Sequence, residues 1–145
     1  MWSMKFFIYT DGGARGNPGP SGAGAVIKDE SGATVKELHK ALGVQTNNFA
    51  EYSAVIIALD GLKRLVPEAR RKDTQVQFYM DSELIARQLS GIYQIKEATL
   101  FPLYIAVHNY RVAEFPNMTF THIPREKNKE ADRLSNVAMD ESEKM

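Results

Sequence analysis

A run of four apolar or aromatic residues at positions 6–9 leads directly into Thr10 and Asp11. The run shows no alternation of apolar and polar residues, which is typical of a strand buried on both faces at the centre of a sheet. The eight residues after Asp11 contain four glycines and a proline. Glycine allows the backbone to approach other groups closely, so this pattern predicts exposed N–H groups beside a rigidly held carboxylate, as in metal and phosphate sites. An Asp-Gly turn that leaves a strand is the alternative interpretation.

The length of 145 residues predicts one domain over residues 1–145, with a core at about 5–139 and a charged tail at 140–145. Eighteen basic and eighteen acidic side chains cancel, whereas nucleic-acid binders often carry a basic excess. Cysteine is absent, which excludes disulfides, thiolate metal ligands and a cysteine nucleophile. The N-terminal residues lack a signal-peptide pattern and an apolar run of membrane-spanning length, so we expect a cytoplasmic protein without a membrane partner.

Two further strands are predicted at residues 23–28 and 34–38, on either side of a turn. Short connections of this kind join antiparallel neighbours, so the first three strands are expected to form a meander. A helix then opens at Asn48, the predicted N-cap, with Glu51 at capping-box spacing. Val55, Ala58 and Leu62 continue at helical period and place Glu51 on the face toward the sheet. Glu51 is therefore either a structural cap or a functional carboxylate.

A fourth strand at residues 75–80 follows that helix, so it is predicted to be parallel to a strand of the meander. Asp81 comes next and is either the N-cap of a helix at 82–89 or a functional group. Asp11 and Asp81 would leave adjacent strands at one sheet edge, where ligands bind in open α/β sheets. The remaining pattern predicts a helix at about 97–114, a strand at 118–123 and a final helix at about 129–139 that carries Asp132.

Asp11, Glu51, Asp81 and Asp132 each lie at a strand end or near a helix start, and the order of elements could gather them at one edge. Four carboxylates that lie close together repel one another unless cations neutralise them. Oxygen ligands without cysteine suit Mg²⁺ or Mn²⁺. Such a site supports two-metal hydrolysis of a phosphodiester, with the ions about 3.5–4 Å apart.

The chain resembles a type 1 ribonuclease H. The segments that carry the resemblance stand in the family's order between about residues 5 and 139, and they are Tyr9-Thr10-Asp11-Gly12-Gly13, Gly16-Asn17-Pro18-Gly19, Thr46-Asn47-Asn48 with Glu51, Asp81-Ser82, and Asn128 with Asp132. One such motif alone is weak, but the ordered set is specific. The resemblance implies an α/β, ribonuclease H-like fold: a mixed five-stranded sheet in the order 3-2-1-4-5, with strand 2 antiparallel and helices on both faces.

The resemblance also implies endonucleolytic cutting of the RNA strand of RNA/DNA hybrids, which leaves 3′-hydroxyl and 5′-phosphate ends, with Mg²⁺ as cofactor and Mn²⁺ as substitute. In this mapping Asp11 bridges two ions, Glu51 and Asp81 ligate one of them, and Asp132 completes the other. Selection of RNA then rests on the 2′-hydroxyl and on backbone shape. The substrate-binding residues that the resemblance implies are Gly12, Gly13, Arg15, Asn17, Thr46, Asn47, Asn48, Ser82, Arg125 and Asn128.

Two features depart from the family pattern. His122 lies ten residues before Asp132, where many members place a histidine in a mobile glycine-containing loop. In this chain Ile123 and Pro124 follow His122, so a catalytic role and packing at a strand end both stay open.

The second departure is that residues 91–96 hold a single lysine in place of the lysine-rich, tryptophan-containing insertion of several members. Fewer phosphate contacts predict modest, weakly salt-dependent binding and a substrate range that includes RNA–DNA junctions or double-stranded RNA.

Two other functions fit part of the pattern. A DNA-acting nuclease of the same superfamily would keep the acids, although the Thr-Asn-Asn stretch at 46–48 argues against it. A non-catalytic nucleic-acid-binding module of the same fold would have lost its chemistry, whereas all four acids are present. The basic residues at 63–72 are typical of a solvated helix end, with a nucleic-acid contact as the alternative. We expect a monomer without an obligate protein partner.

Overall fold

The computed structural model describes residues 4–145, which form five strands and four α-helices. The strands are β1 (Lys5–Ala14), β2 (Gly19–Lys28), β3 (Thr34–Gln45), β4 (Gln75–Met80) and β5 (Asn117–His122). The helices are α1 (Asn47–Leu65), α2 (Glu83–Leu89), α3 (Phe101–Ala113) and α4 (Lys129–Glu143), and short 3-10 turns lie at Glu68–Asp73, Ala98–Leu100 and Arg125–Lys127. No helix within this described part has the length and apolar character that a membrane crossing requires.

The strands form one mixed sheet in the order β3-β2-β1-β4-β5, which confirms the predicted topology. β2 is antiparallel to both of its neighbours, while β4 is parallel to β1 and to β5. β1 is the central strand, which explains its unbroken apolar run. Added side-chain carbons on Gly12 and Gly13 would meet Ala50 of α1 and Met139 of α4 respectively. Since successive residues of a strand face opposite sides, α1 and α4 cover opposite faces of the sheet.

The alternative interpretation of an Asp-Gly turn that leaves the strand at Asp11 was wrong, because the residues that follow are strand. β1 continues to Ala14, and Gly12 and Gly13 pair with Ala23 and Gly22 of β2. A Cβ on Gly12 would lie 2.3 Å from the backbone carbonyl carbon and oxygen of Ala50. The glycine is needed because α1 packs directly against the strand there, and Asp11 is consequently held within regular sheet.

Helix α1 begins one residue before the predicted N-cap. Thr46 is the cap, and its hydroxyl accepts a hydrogen bond from the amide of Phe49 at 3.1 Å. The predicted cap at Asn48 and its capping box with Glu51 were therefore wrong, because Thr46 satisfies the first amides of the helix. Glu51 is left available for the sheet edge, while Val55, Ala58 and Leu62 are fully buried as predicted.

The last helix extends beyond its predicted end at residue 139, so the charged segment 140–143 is not a tail. α4 runs to Glu143 because Ser142 anchors it to the sheet. The Ser142 hydroxyl donates to the carbonyl of Ser21 at 2.5 Å and accepts from the amides of Leu42 and Gly43 at 3.2 Å each. The end of the chain thus stabilises the β2–β3 pair.

The basic segment after α1 contains a structural arginine. Arg71 donates to the carbonyls of Val66 and Lys63 at 3.0 Å each and pairs with Glu114 at 2.9 Å. These contacts close the C-terminal end of α1 and tie it to the end of α3. The expectation of solvated cations was therefore wrong for Arg71, whose side chain is only 16% exposed.

Candidate active site

Three carboxylates meet at the carboxyl-end edge of β1 and β4. Asp11 comes from β1, Glu51 from the first turns of α1, and Asp81 from the residue after β4. Each offers an oxygen, and these oxygens all lie within 4.8 Å of one another. Asp11 is only 7% exposed. The parallel pairing of β1 with β4 brings residues that are 70 positions apart to one edge, as the sequence predicted.

Asp132 lines the same cleft from the first turns of α4. It lies outside the group of three whose oxygens are within 4.8 Å, but its charge helps to raise the pKa of Asp11. The α4 helix therefore brings a fourth negative charge to the acid cluster, by which we mean Asp11, Glu51, Asp81 and Asp132.

The acid cluster is costly to ionise without cations. Burial, followed by the charge of Asp81, raises the pKa of Asp11 to about 7, although the hydroxyl of Ser135 opposes this by donating to Asp11 Oδ2 at 3.0 Å. Burial and the charges of Asp11 and Asp81 also raise the pKa of Glu51 well above its usual value, against the opposing charge of Arg125. An all-oxygen set of this charge fits hard divalent cations such as Mg²⁺ or Mn²⁺.

Asp81 is not a helix cap, because Ser82 takes that position. The Ser82 hydroxyl accepts a hydrogen bond from the amide of Ile85 at 3.2 Å. The Asp81 carboxylate is instead met by Asn128, whose side-chain Nδ2 lies 3.4 Å from Asp81 Oδ2 and 2.9 Å from the Thr10 carbonyl to which it also donates. Asn128 is 1% exposed. Its contacts are those of a group that orients Asp81.

Replacing Asn128 with alanine is expected to lower both stability and activity. The Thr10 carbonyl would lose its buried donor, which costs about 1–3 kcal/mol of unfolding free energy, and Asp81 would lose its orienting contact. Urea unfolding and Mg²⁺ titration of the rate measure the two effects. Asn117→Ala is the matched control, since it also removes an Asn side chain that donates to a backbone carbonyl, but at an exposed site on Lys72. Equal losses in both variants would contradict an orienting role.

Six of the predicted substrate-binding residues line the cleft around the acid cluster. They are Gly12, Gly13, Arg15, Asn47, Ser82 and Arg125. The other four predicted residues, Asn17, Thr46, Asn48 and Asn128, do not line the cleft. The Asn17 side chain accepts from the amide of Asn47 at 3.0 Å, and Asn48 donates to Glu97 at 2.6 Å. His122 is the last residue of β5 and is exposed.

The sequence pattern did not indicate the contribution of α4 beyond Asp132. Ser135 donates to Asp11, and Arg15 is held by Asp140 at 2.6 Å, by Glu143 at 2.9 Å and by Asn136 at 3.2 Å. Ser135 stands three residues after Asp132 and so shares its helix face, a spacing that could have revealed it. The Arg15 contacts join positions 125 and 128 residues apart, and no local pattern predicts them.

The sheet order, the crossover through α1 and the carboxylates at one edge define the ribonuclease H-like fold. Residues 9–138 match the family model described as reverse transcriptase-like. LC11-RNase H1, isolated from compost, has a solved structure that is 48% identical and superimposes with a TM-score of 0.89, covering 95% of this chain and 97% of that one. The chain belongs to the ribonuclease H family, which confirms the resemblance seen in the sequence.

Two curated relatives are similar to nearly the whole of this chain. The bifunctional protein Rv2228c of Mycobacterium tuberculosis is 40% identical over 138 residues, which cover 94% of this chain and 36% of the relative. Ribonuclease HI of Halobacterium salinarum is 34% identical over 138 residues, covering 95% of this chain and 66% of the relative. The chain thus spans about a third of the length of the first of these relatives. LC11-RNase H1 has also been solved in complex with an RNA/DNA hybrid, at 47% identity to this chain.

Proposed function

We propose that this chain hydrolyses the RNA strand of RNA/DNA hybrids internally and leaves 3′-hydroxyl and 5′-phosphate ends. The observation that carries the proposal is the meeting of Asp11, Glu51 and Asp81 within 4.8 Å in an open cleft. A ribonuclease H1 with 47% identity that was solved with a hybrid supports the choice of substrate.

Asp11, Glu51, Asp81 and Asp132 would hold two divalent ions, Mg²⁺ or Mn²⁺. Ions bound there supply activation of water and neutralisation of charge at the leaving oxygen. The protein's part is to fix the carboxylates: Ser135 and Asn128 hold Asp11 and Asp81 through the hydrogen bonds described above. A monomeric state and a cytoplasmic location stay predictions from the sequence.

The substrate would lie across the cleft, with its 2′-hydroxyl groups near Gly12, Gly13 and Asn47. Asn47 is already positioned, because its side-chain oxygen accepts a hydrogen bond from the amide of Ala14 at 2.8 Å. Asn17, Thr46, Asn48 and Ser82 would add contacts to the backbone of the hybrid. A 2′-hydroxyl is what distinguishes RNA from DNA at such a site.

Arg125 is a better candidate than His122 for a basic side chain that acts at the acid cluster. It lines the cleft and its charge acts on Glu51, whereas His122 lies exposed at the end of β5. We therefore propose that Arg125 contacts a substrate phosphate, and a catalytic role for His122 stays a prediction. His122→Ala tests that role through the pH profile of cleavage.

The deciding experiment is cleavage of a 5′-labelled RNA strand annealed to DNA, in Mg²⁺, Mn²⁺ or EDTA. Wild type and Asp81→Asn are compared on the hybrid, an RNA–DNA junction, RNA alone, double-stranded RNA and double-stranded DNA. We expect metal-dependent internal cutting of the hybrid that Asp81→Asn loses. A folded protein that binds the hybrid but cuts it with neither metal would instead be a non-catalytic binding module, and cutting of double-stranded DNA would identify a DNA-acting nuclease.

The C-terminal acids of α4 are expected to restrain hybrid binding. Asp140 and Glu143 form ion pairs with the Arg15 guanidinium at 2.6 and 2.9 Å, so a substrate phosphate must compete with them. The double variant Asp140→Asn, Glu143→Gln should bind a hybrid about two- to fivefold more tightly at low salt, since exposed pairs are weak. Fluorescence anisotropy in EDTA measures the affinity.

Glu141→Gln is the matched control for this prediction. Glu141 lies on the same turn but contacts His39 at 2.8 Å, so its replacement should leave hybrid affinity nearly unchanged. Equal effects in the control and the double variant would indicate a general charge effect. Weaker binding in the double variant would mean that the two acids position Arg15 for the substrate.

A further inference from the structure

Among residues 4–145, no helix covers one face of the sheet beside α4. The side chains of Phe6, Ile8, Val76, Phe78 and Phe120 are buried in the core that α1 covers. The alternate residues of β1, β4 and β5 point to the other side, where α4 packs against β1, β2 and β3. The open face carries Lys5, Phe7, Tyr9, Gln75, Gln77, Tyr79, Asn117, Thr119 and Thr121, of which Gln75, Asn117, Thr119 and Thr121 are exposed.

Three aromatic rings stack across the middle of this face, and we call Phe7, Tyr9 and Tyr79 the aromatic row. The rings of Tyr9 and Tyr79 lie 5.1 Å apart with an interplanar angle of 26°, and those of Phe7 and Tyr79 lie 6.3 Å apart at 22°. All three side chains are half-buried. Tyr9 and Tyr79 are register partners on adjacent strands, so the sheet itself holds their rings in this stack.

The stack ends toward β5 in a row of small polar side chains. Thr121 is the register partner of Tyr79, and Thr119 is that of Gln77. Both threonines are exposed, and their short, hydroxyl-bearing side chains border the side of Tyr79 that faces β5. A planar ring placed above these threonines would extend the stack by one layer.

Cations flank the aromatic row. The Lys5 ammonium lies 5.2 Å from the ring centroid of Phe7, and that of Lys28 lies 5.6 Å from the centroid of Tyr9. Glu130 pairs with Lys28 at 3.0 Å. Two further lysines, Lys127 and Lys129, line a cavity at the Tyr9 end together with Glu126 and Glu130. From Lys5 to Tyr9 on β1, and along β4 and β5, the open face carries no carboxylate.

We propose that the open face is a second nucleic-acid surface, which holds a single strand of RNA or DNA by stacking a base on the aromatic row. Aromatic side chains stack bases with little regard to sequence, and flanking cations bind the phosphates. An exposed sheet with aromatic side chains is a common platform for single-stranded RNA. Lys5 and Lys28 would exchange their ring contacts for phosphates.

The surface lies next to the acid cluster. Tyr9 precedes Asp11 by two residues on β1, and Tyr79 on β4 precedes Asp81, which directly follows that strand, by two residues. Two residues span about 7 Å along a strand. A single-stranded extension of a substrate bound in the cleft could therefore continue onto the aromatic row. The inference goes beyond the proposed cleavage, because binding here needs neither metal nor a hybrid.

The test is anisotropy of a labelled 12-nucleotide RNA, and of DNA of the same sequence, in EDTA at low salt. We expect both strands to bind wild type and Tyr79→Ala to weaken binding about tenfold. Tyr93→Ala is the control, because Tyr93 is a part-exposed tyrosine outside the open face. A charge introduced at the exposed Thr119 should also change the affinity. Thr119→Glu should weaken binding about threefold, and Thr119→Lys should tighten it about threefold. Thr119 lies on an edge strand, so these variants keep the test independent of any loss of folding in Tyr79→Ala.

Three results would overturn the inference. The first is a wild-type protein that does not bind the single strands. The second is displacement of the bound strand by a blunt RNA/DNA hybrid, which would locate binding in the cleft. The third is self-association in sedimentation experiments that Thr119→Glu abolishes, which would make the open face an interface between copies. Hybrid cleavage is assayed in parallel, so that a chain which cuts hybrids yet fails these tests overturns this inference alone.

Discussion

Asp11→Asn is expected to abolish hybrid cleavage while it makes the metal-free protein more stable at neutral pH. Asp11 lies at the centre of the acid cluster, and a bound metal supplies several kcal/mol of charge stabilisation. At about 1.4 kcal/mol for each tenfold in rate, the loss should be on the order of a thousandfold or more. The amide has nearly the same shape and can still accept the hydrogen bond from Ser135, so the fold should be retained.

The stability gain follows from the raised pKa of Asp11. Its folded-state pKa is about 7, against roughly 3.9 for an unfolded aspartate. Between these values the folded protein binds more protons than the unfolded chain, so the free energy of unfolding falls as pH rises from about 4 to 7. The contribution is fully present below pH 4 and is lost above pH 7. Asp11→Asn removes this dependence and should therefore unfold at higher temperature than wild type at pH 8 without metal.

Thermal unfolding of both proteins from pH 4 to pH 8 in EDTA, repeated with Mg²⁺, measures the difference. Mg²⁺ should stabilise wild type, because a ligand that binds only the folded state raises the free energy of unfolding, and it should stabilise Asp11→Asn far less. Asp60→Asn is the control, since Asp60 is a half-exposed acid on α1 that pairs with Arg64. If the difference in unfolding temperature between wild type and Asp11→Asn does not change with pH, the raised pKa of Asp11 is not the cause of the stability gain.

Gly12→Ala is expected to be among the most destabilising small substitutions in this chain. The new Cβ would lie 2.3 Å from the carbonyl carbon and oxygen of Ala50 and 2.5 Å from the amide nitrogen of Glu51. These are backbone atoms of α1, so the helix would have to move away from the sheet. Overpacking of this kind should cost about 3 kcal/mol or more, and the shift would carry Glu51 away from the acid cluster. Urea unfolding measures the loss of stability.

Gly13→Ala provides a matched control on the next residue. Its Cβ would point toward α4 and meet the flexible end of Met139 at 3.4 Å, an ordinary contact distance. The free energy of unfolding should change by less than about 1 kcal/mol. Comparable stability of the two variants would mean that α1 does not pack as closely on β1 as the structure has it.

Much of the fold could be predicted because its signals are local. The apolar run at 6–9 indicates a central strand, and a helix between two strands requires a parallel crossover. These two patterns indicate a central first strand and a parallel fourth strand, and the family resemblance supplies the strand order that makes Asp11 and Asp81 neighbours. Helical period also places Glu51 on the inner face of α1. The members of the acid cluster and their position at one sheet edge could therefore be predicted, and the family motifs identified which acids belong to it.

What the chain's sequence determined by itself is the element order, the sheet topology and the identity of the acids. Tertiary structure decided how they are held. Ser82 releases Asp81 from capping and Asn128 then orients it, while the packing of α1 on Gly12 keeps Asp11 within the strand. The anchoring of α4 by Ser142 is of the same kind. Periodicity and capping patterns report on neighbours within a few residues, whereas these contacts join positions distant in sequence and exist only once both faces of the sheet are packed.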